Sequence, residues 1–226
     1  MKEISFILPC YNAGKYLEEC LSSMLSQSYP CHEFIAINDG STDHTVEILK
    51  NHPEIKILNQ TNQGVSAALN AGIGAATGTY LAFNDADDCW EPNKIALQVQ
   101  ALEQNPDWEA VFCRIQNFIS PELNEIEKSK ILCPPEPLIG LMKCCMLIKR
   151  ETFEKYGKFN ENYRTGDFVE WFSRAQDQGI RYGHIEPILV RRRLHVTNLS
   201  ASPTLGKDFA KILKMRLDAK RNQGSI

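Results

Sequence analysis

The chain reads as an α/β protein built on a doubly wound, mostly parallel central sheet flanked by helices. Two observations predict it. Four short apolar runs each alternate with a segment of helical period within the first ninety or so residues. Each run also ends in a loop of small polar residues, and in such sheets the loops at the strand C-termini line one crevice where ligands bind.

Taken in order, Glu3–Leu8 is a buried strand and Pro9-Cys10-Tyr11-Asn12-Ala13-Gly14 its turn. Leu17, Cys20, Leu21, Met24 and Leu25 form a helical stripe. Glu33–Asn38 is a second strand ending in Asp39-Gly40-Ser41-Thr42-Asp43, and a helix follows through Val46, Ile48 and Leu49. Glu54–Leu58 is a third strand with Asn59–Gly64 as its loop. Val65, Ala68, Leu69, Gly72, Ile73 and Ala76 make the next helical face. Thr79–Asn84 is a fourth strand that runs straight into Asp85, Asp87 and Asp88. Pro92 and the apolar-periodic Lys94–Gln104 then mark a helix start. Tyr11, Asn12, Asp39, Asn62 and the three acids are thereby predicted to converge at one sheet edge.

Packed carboxylates repel one another unless a cation or donors compensate them. Oxygen ligands at a strand end suit Mg²⁺ or Mn²⁺, hard ions that bridge to phosphates. The bland alternative is a helix N-terminus stabilised by acids, which requires no ligand. No Gly-x-Gly-x-x-Gly follows the first strand and there is no Walker sequence. Gly72-Ile73-Gly74 falls inside or after a helix, so dinucleotide and P-loop readings are disfavoured.

The pattern then changes. Trp108–Ile119 reads as a long strand. Ser120–Pro137 is a polar, Pro-rich loop of the kind that serves as a lid or binding loop, or is a tolerated insertion. Leu141–Ile148 is a strand or a buried helix, and Glu151–Tyr156 a short helix. A further helix opens at Gly166, with Asp167 as N-cap and Glu170 three residues on, a capping-box arrangement. Ile180–Ile185 and Ile188–Leu194 are strands, the second placing Arg191 and Arg193 on one face and Arg192 on the other. Gly206–Arg221 is a basic terminal helix with Phe209, Ile212, Leu213 and Leu217 on one stripe. Its basic side is either a membrane-surface contact or a solvated face.

A net charge of −3 over 226 residues implies no general affinity for nucleic acid. The opening apolar run is ended by Pro9, too early for a signal peptide, and no run approaches a membrane span, so a cytoplasmic location is expected. The eight cysteines include no Cys-x-x-Cys and no zinc spacing, which predicts mostly buried, reduced thiols.

Four ordered motifs carry a resemblance. They are Ile7-Leu8-Pro9-Cys10-Tyr11-Asn12, Ile37-Asn38-Asp39-Gly40-Ser41-Thr42-Asp43, Asn62-Gln63-Gly64-Val65-Ser66-Ala67-Ala68-Leu69-Asn70, and Phe83-Asn84-Asp85-Ala86-Asp87-Asp88. Together they resemble the inverting family 2 glycosyltransferases of the GT-A fold. The match is dense to about Lys94, then returns at Leu147–Gly157, Gly166–Ala175 and Arg193–Ser200. The resemblance implies a single domain: a nucleotide-sugar-binding half (1–104), an acceptor and catalytic-base half (105–205), and the terminal helix (206–226).

By resemblance, Pro9, Tyr11 and Asp39 would hold the nucleotide base, with Asn12 and Asn62 in the same donor crevice. Asp85 would reach the ribose or diphosphate. Asp87 would bind Mn²⁺ or Mg²⁺, with His195 touching the metal or diphosphate. Asp167 or Glu170 would be the general base. The implied reaction moves a sugar from a nucleoside diphosphate sugar, a UDP-sugar first, to a hydroxyl of a glycan, lipid or polypeptide. The chain departs from the family at Asn38, where an acid is frequent, at Leu69, where an Arg is common, and at Phe168, in the second place of a usual Glu-Asp pair. Two rivals follow: a non-catalytic nucleotide-sugar-binding module and a sugar nucleotidyltransferase.

Overall fold

A computed structural model describes residues 2–163, 165–198, 210–212 and 214. Strand β1 (Ile4–Cys10) is buried at every position. Such a strand must be covered on both faces, as its nearly continuous apolar sequence requires. The cover alternates with the side-chain period of two. Ile4, Phe6 and Leu8 pack with α1 (Leu17–Leu25), Leu49 of α2 (Thr45–Lys50) and α4 (Lys94–Gln104). Ile7, with Ile35 and Ile37 of β2 (Glu33–Asp39), packs with α3 (Val65–Ala75). Gly72 permits that approach, since a Cβ there would lie 2.6 Å from Ile7 Cγ2 and 2.8 Å from Ile37 Cδ1.

β3 (Ile55–Gln60), β2, β1 and β4 (Tyr80–Phe83) are parallel neighbours in that order. The second half of the chain continues the same sheet. β8 (Met146–Lys149) lies antiparallel between β4 and β6 (Ala110–Ile119). β9 (Tyr182–Leu194) runs parallel to β6, and the short β5 (Cys89–Trp90) pairs antiparallel with β9. β7 (Leu138–Ile139) pairs with β6. The order β3-β2-β1-β4 reverses direction at β1, which opens a crevice beyond the carboxyl ends of β1 and β4. The predicted α/β class with helices on both faces holds, and all parallel pairing except β6 with β9 lies in the first half.

Several local expectations are corrected. Pro9 is part of β1, not of the turn, and pairs with Ile37. Its missing N–H is tolerated because β4 pairs only as far as Ile7. Ile180–Ile185 and Ile188–Leu194 are not two strands but one, β9, with register irregularities where Phe112 and Arg114 face it. Pro187 falls in the gap, where a residue without a ladder donor fits. Leu141–Ile148 resolves into a 3₁₀ turn, Lys143–Cys145, followed by β8. The Pro-rich loop contains a short helix α5 (Glu125–Lys128) closed by a true capping box of Asn124 and Glu127.

The box predicted at Asp167 is absent. Gly166, in the left-handed region at φ 75°, is the N-cap of α7 (Asp167–Asp177), and Asp167 is its first helical residue. A glycine reaches that backbone angle without steric cost, so the turn takes the cap position and frees the Asp167 carboxylate. α6 (Glu151–Tyr156) and α7 cover the sheet face shared with α3. Phe168, Trp171 and Phe172 form its aromatic floor with Phe112, Phe153 and Phe159.

Six cysteines are buried, whereas Cys31 is exposed and Cys133 half-buried. No described helix is long and apolar enough to cross a membrane. Of the predicted terminal helix, residues 210–212 and 214 are helical with Ile212 buried. Its remaining positions, and Ser200, lie outside the described residues.

Candidate active site

The first three polar loops are laced into one rim. Asn12 adopts φ 48°, and its N–H donates to Ser41 Oγ at 3.0 Å while its Oδ1 accepts from Thr42 N at 2.8 Å. Asp43 accepts from Thr45 N and Gly14 N, both at 3.0 Å, and from Thr45 Oγ1 at 2.5 Å. Burial pushes its carboxyl up, but these donors and His44 outweigh burial and hold it below the usual range.

Asp39 is 3 % exposed at the end of β2. Its Oδ1 accepts from Gln60 Nε2 at 2.7 Å and Gln63 N at 2.8 Å, and its Oδ2 from Gly64 N at 2.9 Å. Three of a carboxylate's roughly four acceptor positions are thus engaged in shaping the loop that carries Asn62. Asn38, where an acid was the family expectation, bridges Asn59 at 3.0 Å and Ser41 N at 3.0 Å. Leu69 is fully buried in the core beneath the rim. Tyr11 stands at the mouth, 54 % exposed.

The fourth loop joins the far end of the chain. Asp87 Oδ2 lies 2.9 Å from His195 Nε2 and accepts from Asn198 Nδ2 at 3.0 Å. Thr197 Oγ1 contacts His195 Nδ1 at 2.9 Å, and the Tyr16 ring packs 4.8 Å from the imidazole. Arg193, which the sequence reading did not single out, locks this corner. Its N–H donates to Asp88 Oδ1 at 2.9 Å and its Nε to the Asp87 carbonyl at 3.1 Å. Its guanidinium also bonds Ser120 and Glu19 and lies between the Tyr16 and Phe118 rings, 4.7 Å from each. Arg191 stands 5.0 Å from the same Phe118 ring, so the two arginines share the predicted face. Burial, reinforced by Cys144, Asp87 and Asp85, pushes the Asp88 carboxyl well up, with the Arg193 N–H opposing.

A second missed residue is Lys143. Its Nζ is 3.1 Å from Asp85 Oδ1 and 3.7 Å from Asp167 Oδ2. Burial would lower the ammonium's pKa, but Asp167 and Asp85 more than reverse that, so it stays charged. The signal for it was a lone lysine inside the apolar run Leu141–Ile148; for Arg193 it was an arginine on the inward face of a strand.

The two proposed bases are separated by their contacts. Asp167 Oδ2 is buried with no hydrogen-bond donor among the described residues. Glu170 instead pairs with Arg174, whose Nε is 3.1 Å from Oε1, and Arg174 also donates to the carbonyls of Tyr156 and Lys158. Phe168 points into the aromatic floor, stacked 5.3 Å from Phe172. The structure therefore brings Asp85, Lys143 and Asp167 together, and Asp87 with His195, while Glu170 is engaged elsewhere.

Asp87 and His195 are in direct contact, and a carboxylate beside an imidazole is a pair of ligand types that suits a divalent transition ion. Asp85, Asp88 and Cys144 also group within 4.8 Å, but a thiol is a poor partner for hard ions, and Asp88 is held by Arg193.

Residues 5–157 match the profile of Glycosyl transferase family 2. The chain belongs to that family. Among its relatives, the uncharacterized glycosyltransferase YibD of Escherichia coli is 46 % identical over 46 % of this chain and 32 % of its own length. An uncharacterized glycosyltransferase of Rickettsia prowazekii is 31 % identical over 85 % of this chain and 64 % of its own length. The chain thus spans between a third and two thirds of these relatives' length. Two solved structures share the fold. S. aureus TarS 1-349 in complex with UDP-GlcNAc aligns with 94 % of this chain and 65 % of its own, at 18 % identity and TM-score 0.73. Mannosyltransferase PcManGT of Pyrobaculum calidifontis, in complex with GDP-Man and Mn²⁺, aligns with 88 % of this chain and 59 % of its own, at 21 % identity and TM-score 0.67. The GT-A type of sheet expected from the sequence is thereby established, as is the glycosyltransferase family.

Proposed function

We propose that this chain transfers a glycosyl group from a nucleoside diphosphate sugar to an acceptor hydroxyl with inversion, using Asp167 as general base. The observation that carries the reading is the approach of Asp167, from the start of α7, to Asp85 at the end of β4 through the shared ammonium of Lys143. A reaction that joins donor and acceptor requires the two halves to meet in this way. In this reading the base-pairing edge of the nucleotide lies against Pro9, Tyr11 and Asp39, with Asn12 and Asn62 shaping the same rim and the exposed Tyr11 ring offering a stacking face. The ligands of the two structural neighbours, UDP-GlcNAc and GDP-Man, favour a nucleotide-sugar donor without choosing the nucleotide.

Asp167 Oδ2 is buried and has no hydrogen-bond partner among the described residues, so its lone pair is not committed to one of them. It takes the proton from the acceptor hydroxyl as that oxygen attacks the anomeric carbon from the face opposite the diphosphate, and configuration inverts. Such base assistance is worth about 10²–10⁴ in rate. Glu170 is instead paired with Arg174, whose guanidinium ties α7 to the Tyr156 and Lys158 carbonyls. Asp87 and His195 would hold the divalent cation, and the imidazole favours Mn²⁺ over Mg²⁺. When bound, that cation supplies Lewis-acid neutralisation of the departing diphosphate. The buried Arg193 keeps the loop carrying Asp87 fixed from beneath.

The test is a thermal-shift screen of UDP-, GDP- and dTDP-sugars with and without Mn²⁺, followed by assay of diphosphate release from the sugars that bind. A ligand selective for the native state raises the melting temperature by mass action. A Mn²⁺-dependent rise with one nucleotide class is expected. A rise with nucleoside triphosphates and sugar phosphate, accompanied by pyrophosphate release, would turn the reading toward a nucleotidyltransferase.

A further inference from the structure

We propose that Lys143 is a positioning residue that acts through Asp167, holding the acceptor-side carboxylate against the donor-side acid Asp85. The proposal rests on the reading of Asp167 as the base. Lys143 opens the 3₁₀ turn Lys143–Cys145 ahead of β8. Because β8 runs antiparallel to β4, with Ala82 facing Leu147, the start of β8 lies beside the end of β4, where Asp85 sits. Cys144 and Cys145 are 1 % and 0 % exposed, and they anchor the turn in the core. The lysine is thus delivered from a rigid element, with its side chain only 14 % exposed.

The geometry is asymmetric. At 3.1 Å from Asp85 the ammonium makes a close ion pair, whereas at 3.7 Å from Asp167 Oδ2 it attracts without occupying the lone pair. That combination holds a base in place and leaves its acceptor position open. A neutral side chain of similar size would leave two carboxylates facing each other without compensation, and their repulsion would swing Asp167 away. A displacement of about 1 Å at a reacting group can cost on the order of 10²-fold in rate.

Four proteins test the proposal: wild type, Lys143→Met, Asp167→Asn and the double variant, assayed by UDP or GDP release from UDP-N-acetylglucosamine and GDP-mannose with Mn²⁺. Lys143→Met is expected to lower kcat roughly 10–100-fold while the donor KM stays within about twofold. A fifth protein, Lys143→Arg, which keeps the charge, restores part of the loss. In the Asp167→Asn background, Lys143→Met then costs almost nothing further, because its effect runs through the missing carboxylate. Multiplicative losses in the double variant, or a loss confined to donor KM, would overturn the role of Lys143 and leave the base standing. A wild-type rate in Asp167→Asn alone would instead remove the base assignment. The same four proteins, with Lys143→Gln replacing Lys143→Met if the latter does not fold, give a melting-temperature cycle independent of turnover. Coupled shifts support the pairing, and additive shifts overturn it.

Discussion

His195 Nε2 lies 2.9 Å from Asp87 Oδ2, although 108 residues separate the two in sequence. The sheet makes the meeting. β5 follows the acidic loop directly and pairs Cys89 with Arg191 and Trp90 with Val190, so the end of β9 is drawn back beside the end of β4. Asn198 then reaches the same carboxylate oxygen at 3.0 Å. The contact thus joins the loop after β4 to the segment after β9, and the two-residue strand β5 links the two.

Asp87→Asn is expected to abolish the Mn²⁺-dependent part of donor binding and turnover. Asn198→Ala removes a supporting hydrogen bond to that carboxylate together with those to the His195 N–H and the Arg193 carbonyl, but no metal ligand, so Mn²⁺ affinity should fall roughly 10–100-fold with turnover recovered at high Mn²⁺. Titration of turnover against Mn²⁺ for the two variants checks the distinction. Unchanged metal dependence in Asp87→Asn would sink the assignment.

Asp167 and Glu170 should separate by their response to neutralisation. Asp167→Asn is expected to slow transfer about 10²–10⁴-fold with donor affinity kept. Glu170→Gln breaks the ion pair to Arg174, and its main effect should be a loss of about 1–2 kcal/mol of stability. Turnover and urea denaturation measured on both variants read this directly.

Arg193→Lys keeps the charge but not the planar fork that serves Asp87, Ser120 and Glu19 together. We expect a stability loss of about 1–3 kcal/mol and weakened Mn²⁺ binding, since the Asp87 carbonyl loses its donor. Parallel denaturation and Mn²⁺ titration would show whether the two losses travel together. A stable protein with intact metal response would refute the role given to Arg193.

Glu33, at the start of β2, joins the strand to the turn before β4. Burial pushes its carboxyl up, but Ser5 Oγ, the N–H and hydroxyl of Thr77, and Gly78 N all donate to it and bring it from 4.5 down to about 2. A carboxyl depressed in the fold contributes stability above its unfolded value and loses it as pH falls through the folded one. Glu33→Gln is therefore expected to cost about 1 kcal/mol at pH 7, discounted for solvent exposure. The gap to wild type should close as pH falls from 4.5 toward 2. Melting temperatures of both proteins across that range check the sign.

Much of the first half was legible because its signals are local. Apolar runs of four to seven residues, helical stripes and polar loop ends all lie within one segment each, and the parallel order follows from the short crossovers between them. The second half was less legible. Ile180–Ile185 and Ile188–Leu194 read as two strands but form one, β9, with Pro187 at its irregularity, and Gly166 rather than Asp167 caps α7. Both errors come from reading a residue's usual preference where long-range pairing or a left-handed backbone decided the outcome.

The sequence by itself determined the α/β order, the polar loops at the strand ends, and the family, since each is written in contiguous residues with a fixed period or spacing. Only the tertiary structure decided which acids share a cation. Lys143 sits on a turn after a Pro-rich loop, and Arg193 lies on the ninth strand; neither shares a motif with the carboxylates it meets. Charge compensation in a buried site is a matter of ångströms across strand neighbours, and antiparallel pairing of β8 with β4 and of β5 with β9 supplies neighbours that no local pattern encodes.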